Sequence, residues 1–113
     1  MKIYRVEFTA DAREDMLDYA RYIAQQEGDD RQAIDWFEGL REAITTLAEM
    51  PNRCAPAREN AHSEEEIRQL NHQSHRIIFS VHDDLELVAV HRVWHASRDD
   101  LDQDGLPGLH EDR

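Results

Sequence analysis

The sequence predicts an α+β fold in the order β-α-α-β-β-β: a helical hairpin packed on a small, twisted, mainly antiparallel sheet. Three observations predict it. Residues 2–8 alternate apolar and polar side chains, as a half-buried strand does. Two stretches of apolar residues at helical spacing follow, separated by Gly28. Residues 75–95 then hold two β-branched apolar runs around the acidic turn Asp83-Asp84, the pattern of a β-hairpin.

In the opening strand Tyr4, Val6 and Phe8 share one face. Asp11 with Glu14 three residues later has the spacing of a capping box and places the start of the first helix there. Ala12, Met16, Tyr19, Ala20 and Ile23 form its apolar stripe, which Gly28 ends. Asp29 or Asp30 caps a second helix in which Ala33, Phe37, Leu40, Ile44 and Leu47 recur every three or four residues. Pro51 biases Met50 out of the α region and closes that helix. The two stripes are expected to pack on the chain's own sheet.

Residues 51–65, with Pro51, Pro56 and Asn60, lead into the acidic run Glu64-Glu65-Glu66 and read as a loop. Ile67-Arg68-Gln69-Leu70 begins a strand, and Asn71-His72-Gln73-Ser74 supplies the turn into the hairpin. Strand parity sends Ile77, Phe79 and Val81 toward the helices and Arg76, Ile78, Ser80 and His82 the other way. On the last strand Leu87, Ala89, His91, Val93 and His95 share a face opposite Val88, Val90, Arg92 and Trp94, unless a bulge near Arg92 changes the alternation. After Arg98 the chain is acidic and broken by Gly105, Pro107 and Gly108. The expected organisation is therefore one domain over residues 1–98 and a flexible acidic tail over residues 99–113, too poor in apolar surface to order itself.

The 113 residues suffice for a single modest core. No apolar run is long enough to span a bilayer, and the alternating N-terminus lacks the unbroken apolar stretch of a secretory signal. Cys54 is the only cysteine and has no intrachain partner, which suits a reducing, cytoplasmic setting; as a lone loop cysteine it is expected to be inert.

With 25 acidic and 13 basic residues the net charge is −12, which argues against broad attraction to a nucleic acid backbone. Residues 51–95 hold 7 acidic and 5 basic side chains, against 12 and 6 in residues 1–50, so the hairpin region is the most nearly balanced. An anionic ligand would have to meet a local arginine cluster there. Arg68, Arg76, Arg92 and Arg98 supply the candidates, because a guanidinium can hold phosphate or developing phosphorane charge bidentately. Their competing role is pairing with local carboxylates.

Seven histidines raise a metal question that spacing answers. Along a strand His91 and His95 lie about 13 Å apart, too far to share one zinc ion. His72 and His75 flank a turn without a third obvious ligand. Neither a metal nor a cofactor is expected. No glycine-rich phosphate loop and no Gly-x-Ser-x-Gly elbow is present.

Several segments together resemble the RelE/ParE superfamily of small bacterial toxins over residues 2–98. They are the opening Tyr4-x-Val6-x-Phe8-Thr9-x-x-Ala12, the Tyr22-Ile23-Ala24 stretch, and the helix ending Leu47-x-x-Met50-Pro51. The strand His75-Arg76-Ile77-Ile78-Phe79 and the closing Val90-His91-Arg92-Val93-Trp94-His95-x-x-Arg98-Asp99 complete the set. The resemblance implies the toxin half of a plasmid-stabilising toxin–antitoxin pair, neutralised by an antitoxin that wraps around it. Two activities occur in that superfamily. RelE- and YoeB-type members cut messenger RNA on the ribosome, whereas ParE-type members poison DNA gyrase and cut nothing.

For a YoeB-like nuclease, the resemblance implies a catalytic set of Glu59 as base, Arg76 on the third strand and His95 near the C-terminus. The ribosome-dependent members' basic surface and lysine pair are absent, since Lys2 is the only lysine. The ending Arg92-x-x-His95-x-x-Arg98-Asp99 is closer to ParE-like sequences. The resemblance therefore favours a ParE-like gyrase inhibitor, with Arg68, Arg92 and Arg98 as binding residues. The alternatives are a ribosome-dependent endoribonuclease and a non-toxic homologue that only binds its antitoxin. From the net charge, the neutralising segment is expected to be amphipathic and richer in basic residues than usual.

Overall fold

Two helices lie on one face of a four-stranded sheet in the computed structural model, which describes residues 2–101 and residue 106. The elements are β1 (Arg5–Phe8), α1 (Ala10–Glu27), α2 (Arg31–Thr45), β2 (Arg68–His72), β3 (His75–His82) and β4 (Leu87–His95). The strand order is β1-β4-β3-β2. The pairs β2–β3 and β3–β4 are antiparallel, while β1 runs parallel to β4, with Arg5 opposite Leu87 and Phe8 opposite Val90.

The first helix is capped two residues earlier than the capping-box spacing predicts. Thr9, not Asp11, is the N-cap: its hydroxyl accepts the Ala12 N–H at 3.1 Å and donates to the His91 carbonyl at 3.0 Å. One side chain thus satisfies an open helix amide and ties the helix start to β4. Asp11 sits in the first turn, where a carboxylate complements the helix dipole. Gly28 closes α1 at φ 78, donating its N–H to the Ala24 carbonyl at 3.0 Å, a left-handed position that a Cβ would strain. Asp30 is the N-cap of α2 but makes no side-chain cap bond; the Asp29 carboxylate takes the Arg31 N–H instead. Beyond α2 the chain tightens into a 3-10 turn at Thr46–Ala48, and Met50 adopts φ 48 ahead of Pro51.

Between helices and sheet lies the main core: Tyr4, Ala12, Met16, Leu40, Ile44, Leu47, Ile77, Phe79, Val88, Val90 and Val93. Of the helix stripes it contains Ala12, Met16, Leu40, Ile44 and Leu47, with Phe37 packed against it, and of the inward β3 residues Ile77 and Phe79, with Val81 at its edge. The opposite face of the sheet is also covered. There the loop before β2, which includes a 3-10 turn at Arg58–His62, packs Ala57 with Ile67, Ile78, Leu101 and Leu106, and Trp94 leans on the cluster.

That second cluster includes two leucines from beyond Arg98, where the acidic tail is expected to begin. Leu101 is 6% exposed and Leu106 is 1% exposed. The acidic composition of the segment concealed two leucines that cover Ile67 and Ile78. Residues 102–105 and 107–113 of the expected tail lie outside the described residues. Strand β2 also starts one residue later than expected and extends through His72, leaving a two-residue turn in which Gln73 takes φ 52.

A bulge resolves the parity of β4. Ile78 pairs with Arg92 but Phe79 pairs with Val90, so His91 is the extra residue. Val88 and Val90 face the helices before the bulge, and Val93 and His95 after it. The expected shared face of His91 and His95 is therefore wrong: His91 lies with Ser80 on the far face, hydrogen-bonded to its hydroxyl at 2.8 Å. No helix is long and apolar enough to cross a membrane among the described residues.

Candidate functional site

The sheet separates the expected site residues into two environments. On the face away from the helices, Arg76 and Glu59 meet in a bidentate ion pair at 2.9 and 2.7 Å. Their side chains are 4% and 1% exposed. Arg76 projects there because its β3 parity is opposite to that of Ile77, and Glu59 descends onto it from the 3-10 turn. Arg76 also donates to the Gln69 amide oxygen, and the Glu59 carboxylate accepts the Leu101 N–H at 3.0 Å. Burial alone would raise the Glu59 pKa. The guanidinium, the Leu101 N–H and its own backbone amide outweigh that and hold it below the usual carboxylate range. The pair is an internal strut that fastens the 3-10 turn and the post-β4 chain to the sheet.

His95 lies on the other face. It lines an open cleft of ≈ 370 Å³ with Asp15, Asp18, Tyr19, Tyr22, His75, Val93, Ser97 and Arg98. The α1 residues come from positions 15, 18, 19 and 22, one helix face at three- and four-residue spacing. Tyr19 is the hub: its ring centroid is 4.3 Å from His75, 4.9 Å from Trp36 and 5.7 Å from His95. His75 is buried among these rings, and its pKa falls to about 4, first from burial and then from the neighbouring His95 and His72. It is neutral at physiological pH. The Nδ1 of His95 accepts the Ser97 N–H at 3.1 Å, so the neutral ring carries its proton on Nε2. The cleft thus offers an aromatic floor, one histidine donor and one guanidinium.

The remaining arginines are largely committed. Arg92 grips the Asp15 carboxylate with two bonds of 2.8 Å, and that carboxylate also takes the Val93 N–H exposed by the bulge. Arg68 donates to the Cys54 carbonyl at 2.6 Å and reaches Glu66 at 3.4 Å. Arg98 stacks over Trp94 at 3.8 Å, shares that ring with Arg92, and has no carboxylate partner among the described residues. Burial pushes the Cys54 thiol pKa up against the pull of Arg53 and Arg68, so it is a poor nucleophile. No three histidine, cysteine, aspartate or glutamate side chains among the described residues are placed to hold a metal ion.

Of the cleft's residues, sequence marks Arg98 and His95 as chemically capable, while Asp15, Asp18, Tyr19, Tyr22 and His75 join them only in the fold. The 15-18-19-22 spacing carries the signal, but Tyr19 fits the helix's apolar stripe equally well and so reads as packing.

A family model described as "ParE toxin of type II toxin-antitoxin system, parDE" matches residues 6–100. Two solved structures share the fold. The chromosomal ParDE toxin–antitoxin system of P. aeruginosa superposes with a TM-score of 0.68 at 16% identity, covering 84% of this chain and 98% of that chain. The RelBE2 toxin–antitoxin complex from Mycobacterium tuberculosis gives 0.57 at 22% identity, covering 86% and 97%. No curated protein sequence matches the chain.

Proposed function

We propose that this chain, which belongs to the ParE toxin family of type II toxin–antitoxin systems, acts by binding DNA gyrase in the cytoplasm rather than by cutting RNA, and is neutralised by a cognate antitoxin. The observation that carries the reading is the division of the nuclease set. Phosphodiester cleavage needs a base, an acid and a charge-stabilising group within hydrogen-bond reach of one phosphate. Here Glu59 and Arg76 are locked to each other in the interior, and His95 stands across the sheet from them.

An endoribonuclease of RelE or YoeB type would have to run on His95 and Arg98, in a cleft that also presents Asp18 to the incoming phosphate. The net charge of −12 further opposes capture of ribosomal RNA. Binding a protein target requires neither a buried base nor a cationic surface. The test is a pair of assays on the purified chain: gyrase supercoiling, and cleavage of mRNA on translating ribosomes. Blocked supercoiling with intact mRNA is expected. Cleaved mRNA with active gyrase overturns the reading, and activity in neither assay identifies a homologue that only binds its antitoxin.

A further inference from the structure

The cleft lined by His95 is one-sided in what it leaves open. Both carboxylates on its walls are already answered. Arg92 takes the two Asp15 oxygens at 2.8 Å with the Val93 N–H as a third donor, and Arg21 holds Asp18 at 3.1 Å. What remains open are the His95 Nε2–H, the Arg98 guanidinium and the hydroxyls of Tyr19 and Tyr22, none of which has a hydrogen-bond partner among the described residues. All four can donate. In a chain of net charge −12, a cleft whose open side chains are all donors is set for an acceptor.

The donors stand around an apolar body. Tyr22 leaves 53% of its surface in solvent, and its ring centroid lies 5.6 Å from that of Tyr19, which itself packs on His75 and Trp36. Arg98 is held before any ligand arrives. Its guanidinium carbon lies 3.8 Å over the Trp94 ring, and that ring is fixed by its Nε1–H on the Asp99 carbonyl at 2.8 Å. A guanidinium stacked by its face keeps its N–H fork free at the edge, where a planar carboxylate fits bidentately, and loses little freedom in binding one. Of Arg68, Arg92 and Arg98, which the sequence marks for binding, only Arg98 has no carboxylate partner among the described residues.

The same cleft discriminates among acceptors. A nucleic acid strand would carry one phosphate after another past Asp18 and into the negative field of the whole molecule. A protein segment can bring a single carboxylate with an apolar side chain next to it. We infer that this cleft is where the chain grips gyrase, and that it takes a segment of that target in which an aspartate or glutamate stands beside an aromatic or large apolar residue. The carboxylate accepts from the Arg98 fork and from His95 Nε2–H, and its neighbour packs on Tyr19 and Tyr22. The inference rests on the gyrase reading and adds to it the surface and the chemistry of the contact.

Gyrase holoenzyme and the purified full chain provide the test. Supercoiling is titrated with wild type, Arg98→Glu, Arg98→Lys, Tyr22→Ala and, as a control for charge alone, Arg31→Glu, at an exposed residue outside the cleft. Arg98 and Tyr22 are exposed as well, and circular dichroism verifies each fold. Arg98→Glu should raise the half-inhibitory concentration roughly 10-fold or more, and Tyr22→Ala roughly 5-fold. Arg98→Lys, which keeps the charge but not the fork, should fall between Arg98→Glu and wild type, and Arg31→Glu should match wild type. Hydrogen exchange on the complex should protect residues 18–22 and 95–98 and, on gyrase, a segment with a carboxylate beside an apolar residue; converting that carboxylate to its amide should reproduce the Arg98→Glu loss. If wild type inhibits gyrase and the cleft variants inhibit as well as Arg31→Glu does, or the protected gyrase segment has no carboxylate, the inference is overturned while the gyrase reading stands. If Arg98→Glu instead removes cleavage of mRNA on ribosomes, the cleft serves RNA and the inference is overturned too. A wild-type chain that leaves supercoiling untouched sinks the gyrase reading, and this contact with it.

Discussion

Replacing Glu59 tests whether the ion pair beneath the sheet is a strut. Glu59→Leu strands the Arg76 guanidinium, 4% exposed, and leaves the Leu101 N–H without its acceptor. Removing one partner of a buried pair costs about 3–5 kcal/mol, because the remaining charge stays uncompensated. At roughly 4 °C per kcal/mol for a domain of this size, Tm should fall by more than about 10 °C. Arg76→Met should cost a similar amount by stranding the carboxylate. The double variant Glu59→Leu/Arg76→Met removes both charges and should recover at least about 2 kcal/mol relative to the sum of the singles. Urea denaturation of the four proteins measures this coupling directly. The pH dependence supplies an independent readout. The folded pKa of Glu59 lies below its unfolded value, so its contribution is present above the ordinary glutamate range and is lost as pH falls through the folded value. The double variant should lack that part of the acid slope. Single variants that each cost under about 1 kcal/mol, or a strictly additive double, would refute the reasoning by showing that the pair is solvated.

Four further outcomes follow from the same geometry. His75, with a folded pKa of about 4 against 6.5 when unfolded, favours the folded state only while neutral, so stability should fall as pH drops from 6.5 toward 4, by up to about 3 kcal/mol; His75→Phe should flatten that part of a pH–denaturation curve. Leu106→Ala, at a residue 1% exposed, should cost about 2–5 kcal/mol in urea denaturation, where a truly free tail would make it neutral. Asp15→Ala releases both the Arg92 guanidinium and the Val93 N–H, and should cost at least about 2 kcal/mol with faster hydrogen exchange at the end of β4. Arg76→Lys, which keeps the charge but not the bidentate fork, should lower Tm and lower toxicity in cells only in proportion to the loss of folded protein; full folding with abolished toxicity would return Arg76 to a role in the activity.

The element order, the helix stripes of Ala12-Met16 and Leu40-Ile44-Leu47, and the inward parity of Ile77 and Phe79 were all readable in the chain. Each depends on a period of 3.6 or 2 that the backbone imposes on any apolar surface. Other features depended on partners distant in sequence. Thr9 rather than Asp11 caps α1 because the His91 carbonyl lies beside it across 82 residues, and β1 finds β4 only once the sheet is assembled. The bulge at His91 reverses the expected alternation on half of β4; no local spacing records it, because one extra residue is visible only against the paired strand. The site followed the same division. Sequence marked Arg76, Glu59, His95 and Arg98 as chemically capable side chains. Which of them meet was decided by the sheet, an impermeable layer that puts Arg76 and Glu59 together beneath it and His95 above. Composition likewise reported an acidic chain and an acidic tail. Only the packed structure showed that Leu101 and Leu106 close the lower core, and that Arg98 and the other open side chains of the cleft can all donate hydrogen bonds, because net charge sums over a molecule while recognition depends on where the charges are placed.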